Sequence, residues 1–213
     1  MGNCEESLAA EAADCGCGFA EDSACAALSG QWYSYANRNV DTKSRFCMST
    51  LPRQLDLEIN GRRLLVVHGG VTSINRFIFA TSDDAIEEEL AASACDGVIA
   101  GHCGLPFTRQ SDGCLWHNAG VVGVPANDGT RRVWFSVLTP SDGGVAIEHH
   151  ALDYDNASAA AKMRERGLPE GYAAALETGL WPSCDILPPA ELASRGRRLD
   201  PAAAFWRDRA TVS

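Results

Sequence analysis

A β-hairpin near residue 60 is the feature that most constrains how this chain can fold. Apolar and polar residues alternate from 55 to 59, and Asn60-Gly61 then supplies the dipeptide typical of a two-residue type I′ turn. The returning segment, residues 64–67, reads Leu-Leu-Val-Val and indicates a buried strand. The chain must therefore contain a sheet with at least one strand in its interior.

Further strands follow the hairpin, and helices lie on both sides of the strand-rich region. The patterns predict helices at 5–14, 35–51 and 83–90 and in the alanine-rich stretch after Tyr154, and strands at 97–100, around Phe107 and Leu115, at 133–138 and at 145–152. Strands in the middle with helices around them favour an α/β or α+β fold with a mixed sheet.

The composition is that of a soluble globular domain, with 46% hydrophobic and 22% charged residues. The net charge of −10 argues against general binding to nucleic acid or to anionic membranes. No apolar run approaches the ~20 residues that cross a bilayer, and the first residues do not resemble a secretory signal. A cytoplasmic protein is expected.

The cysteines do not suggest a disulfide scaffold, because their number, nine, is odd and no export signal accompanies them. Cys15, Cys17 and Cys25 lie close together but lack the paired C-x-x-C spacing of zinc ribbons. Reduced thiols in the core or in loops are expected there, and a structural metal is the alternative.

Two histidines occupy equivalent positions after apolar strands. His68 follows the returning strand of the hairpin and precedes two glycines, and His102 follows the segment 97–101 and precedes Cys103-Gly104. Ligands of open α/β sheets bind beyond the carboxyl ends of strands, and glycines let backbone and ligand approach closely. The pattern indicates binding of a metal or a phosphate, with a structural, hydrogen-bonded histidine as the alternative.

Three motifs, in order, carry a resemblance to a known family. The chain has G-N-C-E at 2–5, V-V-H-G-G at 66–70 and G-H-C-G at 101–104, and N-A-G at 118–120 follows a strand. This set resembles the calcineurin-like metallophosphoesterases, which carry G-N-H-[DE], a histidine after an apolar strand and G-H-x-H, and in particular a bacterial phosphodiesterase-like branch with G-N-C-[DE]. The resemblance implies a mixed-sheet β-sandwich flanked by helices, here lacking its first strands.

The resemblance also implies a metal site and a reaction. Asn3, His68 and His102 correspond to ligands of one divalent ion, and this nitrogen and oxygen set suits Mn²⁺, Fe²⁺, Zn²⁺ or Ni²⁺. The implied activity is hydrolysis of a small phosphomonoester or phosphodiester by metal-activated hydroxide. Asn3 has an alternative role as the cap of the helix that follows it.

Two further residues are candidates for catalysis. Cys4 stands where most of the family has the histidine that assists the transition state or the leaving group. Arg76, in the loop after His68, has the charge and geometry to contact a substrate phosphate, with an ordinary surface arginine as the alternative.

The departures from the family are equally specific. D-x-H and G-D-x-x-D do not occur before Asn3, and Gly104 stands at the last position of G-H-x-H. Either Met1 is an internal methionine of a longer protein or the gene itself is shortened. Impaired activity is expected for this chain, and the alternative is a non-catalytic protein of the same fold that binds a metal or a partner.

The expected organisation is a partial metallophosphoesterase domain at 1–152 and a helical C-terminal extension, 153–213, packed on it. The extension is expected to end in a frayed basic tail that contains five arginines: Arg195, Arg197, Arg198, Arg207 and Arg209. The remaining histidines, His117, His149 and His150, are expected to be structural.

Overall fold

Two packed sheets form the centre of the molecule in a computed structural model that describes residues 1–208. The first sheet has five strands in the order β1-β2-β3-β5-β4, and the second has three in the order β6-β7-β8. The strands are β1 Leu55–Ile59, β2 Arg62–Val66, β3 Gly97–Ala100, β4 Phe107–Ser111, β5 Cys114–Asn118, β6 Val133–Ser141, β7 Gly144–Leu152 and β8 Ala202–Arg207. The helices are α1 Asn3–Ala9, α2 Ala24–Asn39, α3 Thr42–Ser49, α4 Asp83–Ser93, α5 Asn156–Glu165, α6 Glu170–Thr178 and α7 Pro189–Ala193.

The predicted hairpin is confirmed as β1 and β2, which pair antiparallel from Leu55↔Val66 to Ile59↔Arg62. Asn60 and Gly61 have φ values of 52° and 70°, as a type I′ turn requires. β2 then pairs parallel with β3, and β3 pairs parallel with β5, so the first sheet is mixed. This parallel arrangement brings the carboxyl ends of β2 and β3 to one edge of the sheet.

The core lies on both faces of the five-stranded sheet. On one face Leu64 and Leu115 pack against Val145, Ile147 and Trp206 of the second sheet. On the other face Val98 and Trp116 pack against Ile86 and Leu90 of α4. The fold is therefore a mixed α/β structure in which a β-sandwich is flanked by helices, as predicted.

The predicted helix at 35–51 is wrong, because two helices occupy this region. α2 begins at Ala24, where the Ser23 side chain accepts a hydrogen bond from the N–H of Ala26, and ends at Asn39. Asp41 then caps α3 by accepting from the N–H of Ser44 at 2.7 Å. The apolar spacing alone did not show this interruption, which a side-chain cap creates.

The prediction of a frayed tail is wrong for Ala202–Arg207, which form β8 and pair antiparallel with β7. Trp206 is only 1% exposed, so burial of its indole holds the strand in place. Arg209 lies outside the described residues. The division at 152 and 153 stays a prediction, although β8 now joins the second range to a strand of the first.

No helix among residues 1–208 is long and apolar enough to cross a membrane.

Candidate metal centre

His68 and His102 meet at the edge of the sheet where β2 and β3 end. Each lies two residues beyond its strand, and the N–H of Gly101 donates to the carbonyl of His68 at 2.8 Å. The Nε2 atom of His68 is 3.1 Å from the Nδ1 atom of His102. The sequence placed the two imidazoles at one site, and the structure brings them together.

The separation of these two nitrogens suits a pair of ligands to one ion. Two metal–nitrogen bonds of ~2.1 Å at an angle of about 95° span the same distance. His102 reaches this position with a φ of 62°, in the left-handed region that few side-chain-bearing residues adopt. Such backbone strain outside a glycine is characteristic of functional sites.

Both rings are held in the neutral form that binds metal. Burial and, to a smaller extent, the neighbouring His68 lower the pKa of His102 to about 4, against the opposite effect of the Asn75 and Cys17 carbonyls. Burial also lowers the pKa of His68. The Nε2 atom of His102 is buried and makes no hydrogen bond in good geometry.

Asn3 is buried in the first turn of α1, and its role as a helix cap is wrong. Gly2 occupies the cap position, and its N–H donates to the Glu5 carboxylate at 3.0 Å. The Asn3 Nδ2 atom donates to the Cys15 carbonyl at 2.8 Å, which fixes the amide and leaves its oxygen outside that bond. A Cβ at Gly2 would lie 3.0 Å from the His68 ring, so this end of α1 rests against the histidine.

Cys15 and Cys17 form a disulfide beside Asn3, and the expectation of reduced thiols is wrong for this pair. Gly16 between them has a φ of 62°, which lets the chain reverse and brings the two sulfurs together. The Asn3 Nδ2 atom also lies 3.3 Å from the Cys17 sulfur. Cys25 is a free thiol.

Cys4 follows Asn3 and remains a free, half-buried thiol. Burial and, to a smaller extent, the Glu5 carboxylate raise its pKa to about 11, so the sulfur stays protonated at neutral pH. A protonated thiol can donate a weak hydrogen bond but is a poor nucleophile.

Arg76 is held in ion pairs with two acids of α4. Its guanidinium donates to Glu88 at 2.6 Å and to Glu89 at 2.7 Å. Glu89 is fully buried and also accepts a hydrogen bond from the N–H of Thr72 at 3.1 Å. The guanidinium therefore has structural partners, and phosphate contact by Arg76 stays a prediction.

Glu89 is a buried acid that sequence reasoning missed. Its signal was its position on the apolar face of α4, next to Leu90 and three residues after Ile86. An acid on such a face indicates a buried partner, which here is Arg76.

Comparison with solved structures identifies the fold. The chain superposes on a metallophosphoesterase from Sphaerobacter thermophilus with a TM-score of 0.63 and 20% identity, over 84% of this chain and 75% of that one. It superposes on hypothetical protein PH1004 from Pyrococcus horikoshii OT3 with a TM-score of 0.66 and 14% identity, over 85% and 72% of the two chains. The chain has the calcineurin-like phosphoesterase fold. No protein-family model and no curated protein sequence matches it.

In this phosphoesterase fold, the position after Cys103 is closed to any side chain. Gly104 has a φ of 82°, and a Cβ there would lie 2.9 Å from the Trp181 ring. Trp181 is held by two hydrogen bonds. Its indole Nε1 donates to the Pro125 carbonyl at 2.6 Å, and its backbone N–H donates to the Asn127 side chain at 2.8 Å. Trp181 therefore fills the space that the last histidine of G-H-x-H would need.

Few side chains at this site could bind a metal ion. Among residues 1–208, no group of three or more His, Cys, Asp or Glu side chains is arranged to hold a metal ion. His68 and His102 fit two positions around one ion, and the Asn3 amide is the third candidate. These residues suit one ion with few protein ligands.

Proposed function

We propose that this chain is a metal-dependent phosphoesterase domain that acts, with impaired activity, on small phosphomonoesters or phosphodiesters. The observation that carries the proposal is the 3.1 Å approach of the two neutral imidazoles at the carboxyl ends of adjacent parallel strands. The fold supports it, because the chain shares its architecture with a metallophosphoesterase.

In this proposal His68, through Nε2, and His102, through Nδ1, hold a divalent ion, and the amide oxygen of Asn3 completes the protein's share of the ligands. Mixed nitrogen and oxygen donors suit Mn²⁺, Fe²⁺, Zn²⁺ or Ni²⁺. When bound, such an ion supplies Lewis acidity toward phosphate oxygens and lowers the pKa of water. In the same proposal the protonated Cys4 thiol donates a hydrogen bond to a substrate oxygen.

Metal binding tests this proposal directly. Isothermal titration calorimetry with Mn²⁺ or Zn²⁺ should detect one weak site that is lost in both His68→Ala and His102→Ala. Binding should be weak because uncharged ligands do little to offset dehydration of a dication. His150→Ala is the matched control, since this imidazole is half-exposed on the second sheet. Equal affinity in all four proteins would place the metal elsewhere and refute the proposal.

A second candidate function is a non-catalytic, metal- or partner-binding protein of the same fold. Two observations favour it: Trp181 closes the position of Gly104, and no third His, Cys, Asp or Glu joins the two histidines within residues 1–208. A measurement of phosphate release distinguishes the two functions. Metal binding that depends on both histidines, without phosphate release under any metal, would support the second.

A further inference from the structure

A small cavity with aromatic walls opens next to the histidine pair. Its volume is ≈ 170 Å³. Its lining combines one imidazole of the candidate metal centre with side chains from several other parts of the chain, among them Phe19, Phe77, His102, Val124, Tyr172 and Trp181. The binding of a metal ion at the candidate centre does not require this cavity.

The wall on the metal side is a stack of rings. Phe77 stacks on Phe19 with ring centroids 5.6 Å apart, and it lies against the His102 imidazole at 4.3 Å. A group in the cavity would therefore contact the same ring that offers Nδ1 to the metal. Aromatic faces of this kind favour stacked or edge-on contact with another ring.

The floor of the cavity is formed by Gly104 and the indole of Trp181. Residue 104 has no side chain to project into the cavity. The hydrogen bond from Nε1 to the Pro125 carbonyl holds the indole, and the bond from the backbone N–H to Asn127 holds the main chain of Trp181. The cavity is thus a preformed space, and forming it requires no rearrangement of the floor.

The hydroxyl of Tyr172, a half-buried residue, is a polar group of the lining. Burial raises the pKa of Tyr172 to about 12, so the proton stays on oxygen. This hydroxyl is available to donate a hydrogen bond to an acceptor on an occupant of the cavity.

The volume of the cavity matches one aromatic ring. An apolar protein cavity of ~150 Å³ holds benzene. The ≈ 170 Å³ here is therefore sufficient for a phenyl-sized group, whereas a fused two-ring group would extend out of the cavity.

We propose that this cavity binds the aromatic ring of the alcohol portion of a phosphoester, so that the preferred substrates are single-ring aryl or benzyl phosphoesters. The ring would lie between the Phe77 and Trp181 side of the cavity and the Tyr172 hydroxyl, with its phosphate directed past His102. The substrate assignment rests on the proposed phosphoesterase function, whereas ring binding itself does not.

Ring binding is tested on the metal-free chain by ligand-observed NMR titration with phenol and with 1-naphthol. Phenol should bind, and 1-naphthol should bind at least about tenfold more weakly although it is more apolar. Val124→Phe should fill the cavity and weaken phenol binding by a similar factor. The matched control is Val122→Phe, because Val122 is 65% exposed and only two residues away.

Tighter binding of 1-naphthol than of phenol by the wild-type chain would overturn the proposal, and this comparison does not depend on whether a variant folds. Unchanged phenol binding in a folded Val124→Phe protein would overturn it as well. Because no metal is present, these outcomes are independent of the metal proposal.

The link to the substrate is tested with Mn²⁺ present, by comparing the binding of phenyl phosphate and methyl phosphate. Val124→Phe should weaken phenyl phosphate about tenfold and leave methyl phosphate unchanged. Equal weakening of both ligands, or of neither, would show that the cavity does not receive the alcohol group. If the wild-type chain binds phenol but binds neither phenyl phosphate nor methyl phosphate, the result would instead refute the phosphoesterase function.

Discussion

A second pair of histidines illustrates at the residue scale how the two sheets are joined by polar contacts. The Thr108 hydroxyl lies 3.0 Å from Nδ1 of His117 and 3.0 Å from Nε2 of His149. The Nδ1 atom of His149 in turn lies 3.0 Å from the Ser136 hydroxyl. His117 is completely buried, and burial, followed by the proximity of His149, lowers its pKa to about 3. The chain of contacts is thus built for neutral imidazoles.

This arrangement predicts that stability falls with acidification. Unfolded histidine titrates near pH ~6.5, while folded His117 stays neutral, so below that pH the unfolded state binds more protons. The contribution of His117 to the free energy of unfolding is therefore complete above pH ~6.5. It is lost as the pH falls toward the pKa of the folded state, by up to ~1.4 kcal/mol per pH unit. Urea unfolding at pH 7.5, 6.0 and 5.0 should show this decrease in the free energy of unfolding with falling pH. The decrease should be smaller in His117→Asn.

His150→Asn is the control for that experiment, because the His150 side chain is 40% exposed. It should keep the wild-type slope. A slope in His117→Asn equal to that of the wild type would mean that acid acts through other groups.

The sequence identified His68 and His102 because each follows an apolar strand within a few residues, which is a local pattern. It did not identify the partners of His149, because Thr108 and Ser136 lie on other strands and only the packing of the two sheets brings them together. Nor did it anticipate that Trp181, 77 positions after Gly104, would close the loop beside His102.

At the scale of elements, β8 completes the second sheet. Trp206 packs in the core between the sheets with Leu64 and Val145. The indole Nε1 donates to the Gly113 carbonyl at 3.0 Å, and the Arg62 guanidinium lies 4.2 Å from the ring centroid. One strand thereby connects the second sheet to β2 and to the turn between β4 and β5 of the first.

Trp206→Ala should lower the free energy of unfolding by ~3–5 kcal/mol, because it removes a large buried side chain and leaves a cavity. Phe205→Ala on the same strand is the matched control. Its ring is 38% exposed, so the change should lower stability by ~1 kcal/mol or less. Urea titration of both proteins measures the difference, and equal losses would show that the strand is not held by the indole.

The two strands of the hairpin and β8 differ in how much the sequence reveals. β1 and β2 are joined by two residues, so alternation and the Asn60-Gly61 turn were sufficient to predict them. β8 pairs with β7 across some fifty residues of helix and loop, and four arginines lie within and just before it. A short alanine-rich segment in a basic context has no local pattern that indicates a strand.

At the scale of the whole molecule, three separate parts of the chain form the candidate metal centre. The start of α1 supplies Asn3 and Cys4, and the ends of β2 and β3 supply His68 and His102. Arg76 is paired with Glu89, and neither Arg76 nor Trp181 adds a ligand to this centre. The proposed site therefore combines one ion that has few protein ligands with the proposed ring-binding cavity beside it.

This arrangement predicts poor catalysis by the 213-residue chain. With Mn²⁺ supplied, it should hydrolyse p-nitrophenyl phosphate only slowly. In-line phosphoryl transfer at paired ions depends on stabilising both the attacking and the leaving oxygen. Within residues 1–208 no carboxylate joins the two histidines in a three-ligand group, so only part of that stabilisation is available. Release of p-nitrophenolate, followed by absorbance, measures the rate against a no-protein control. Robust turnover that disappears in His102→Ala but persists in His150→Ala would contradict the prediction, and would mean that two histidines and an amide are sufficient for catalysis.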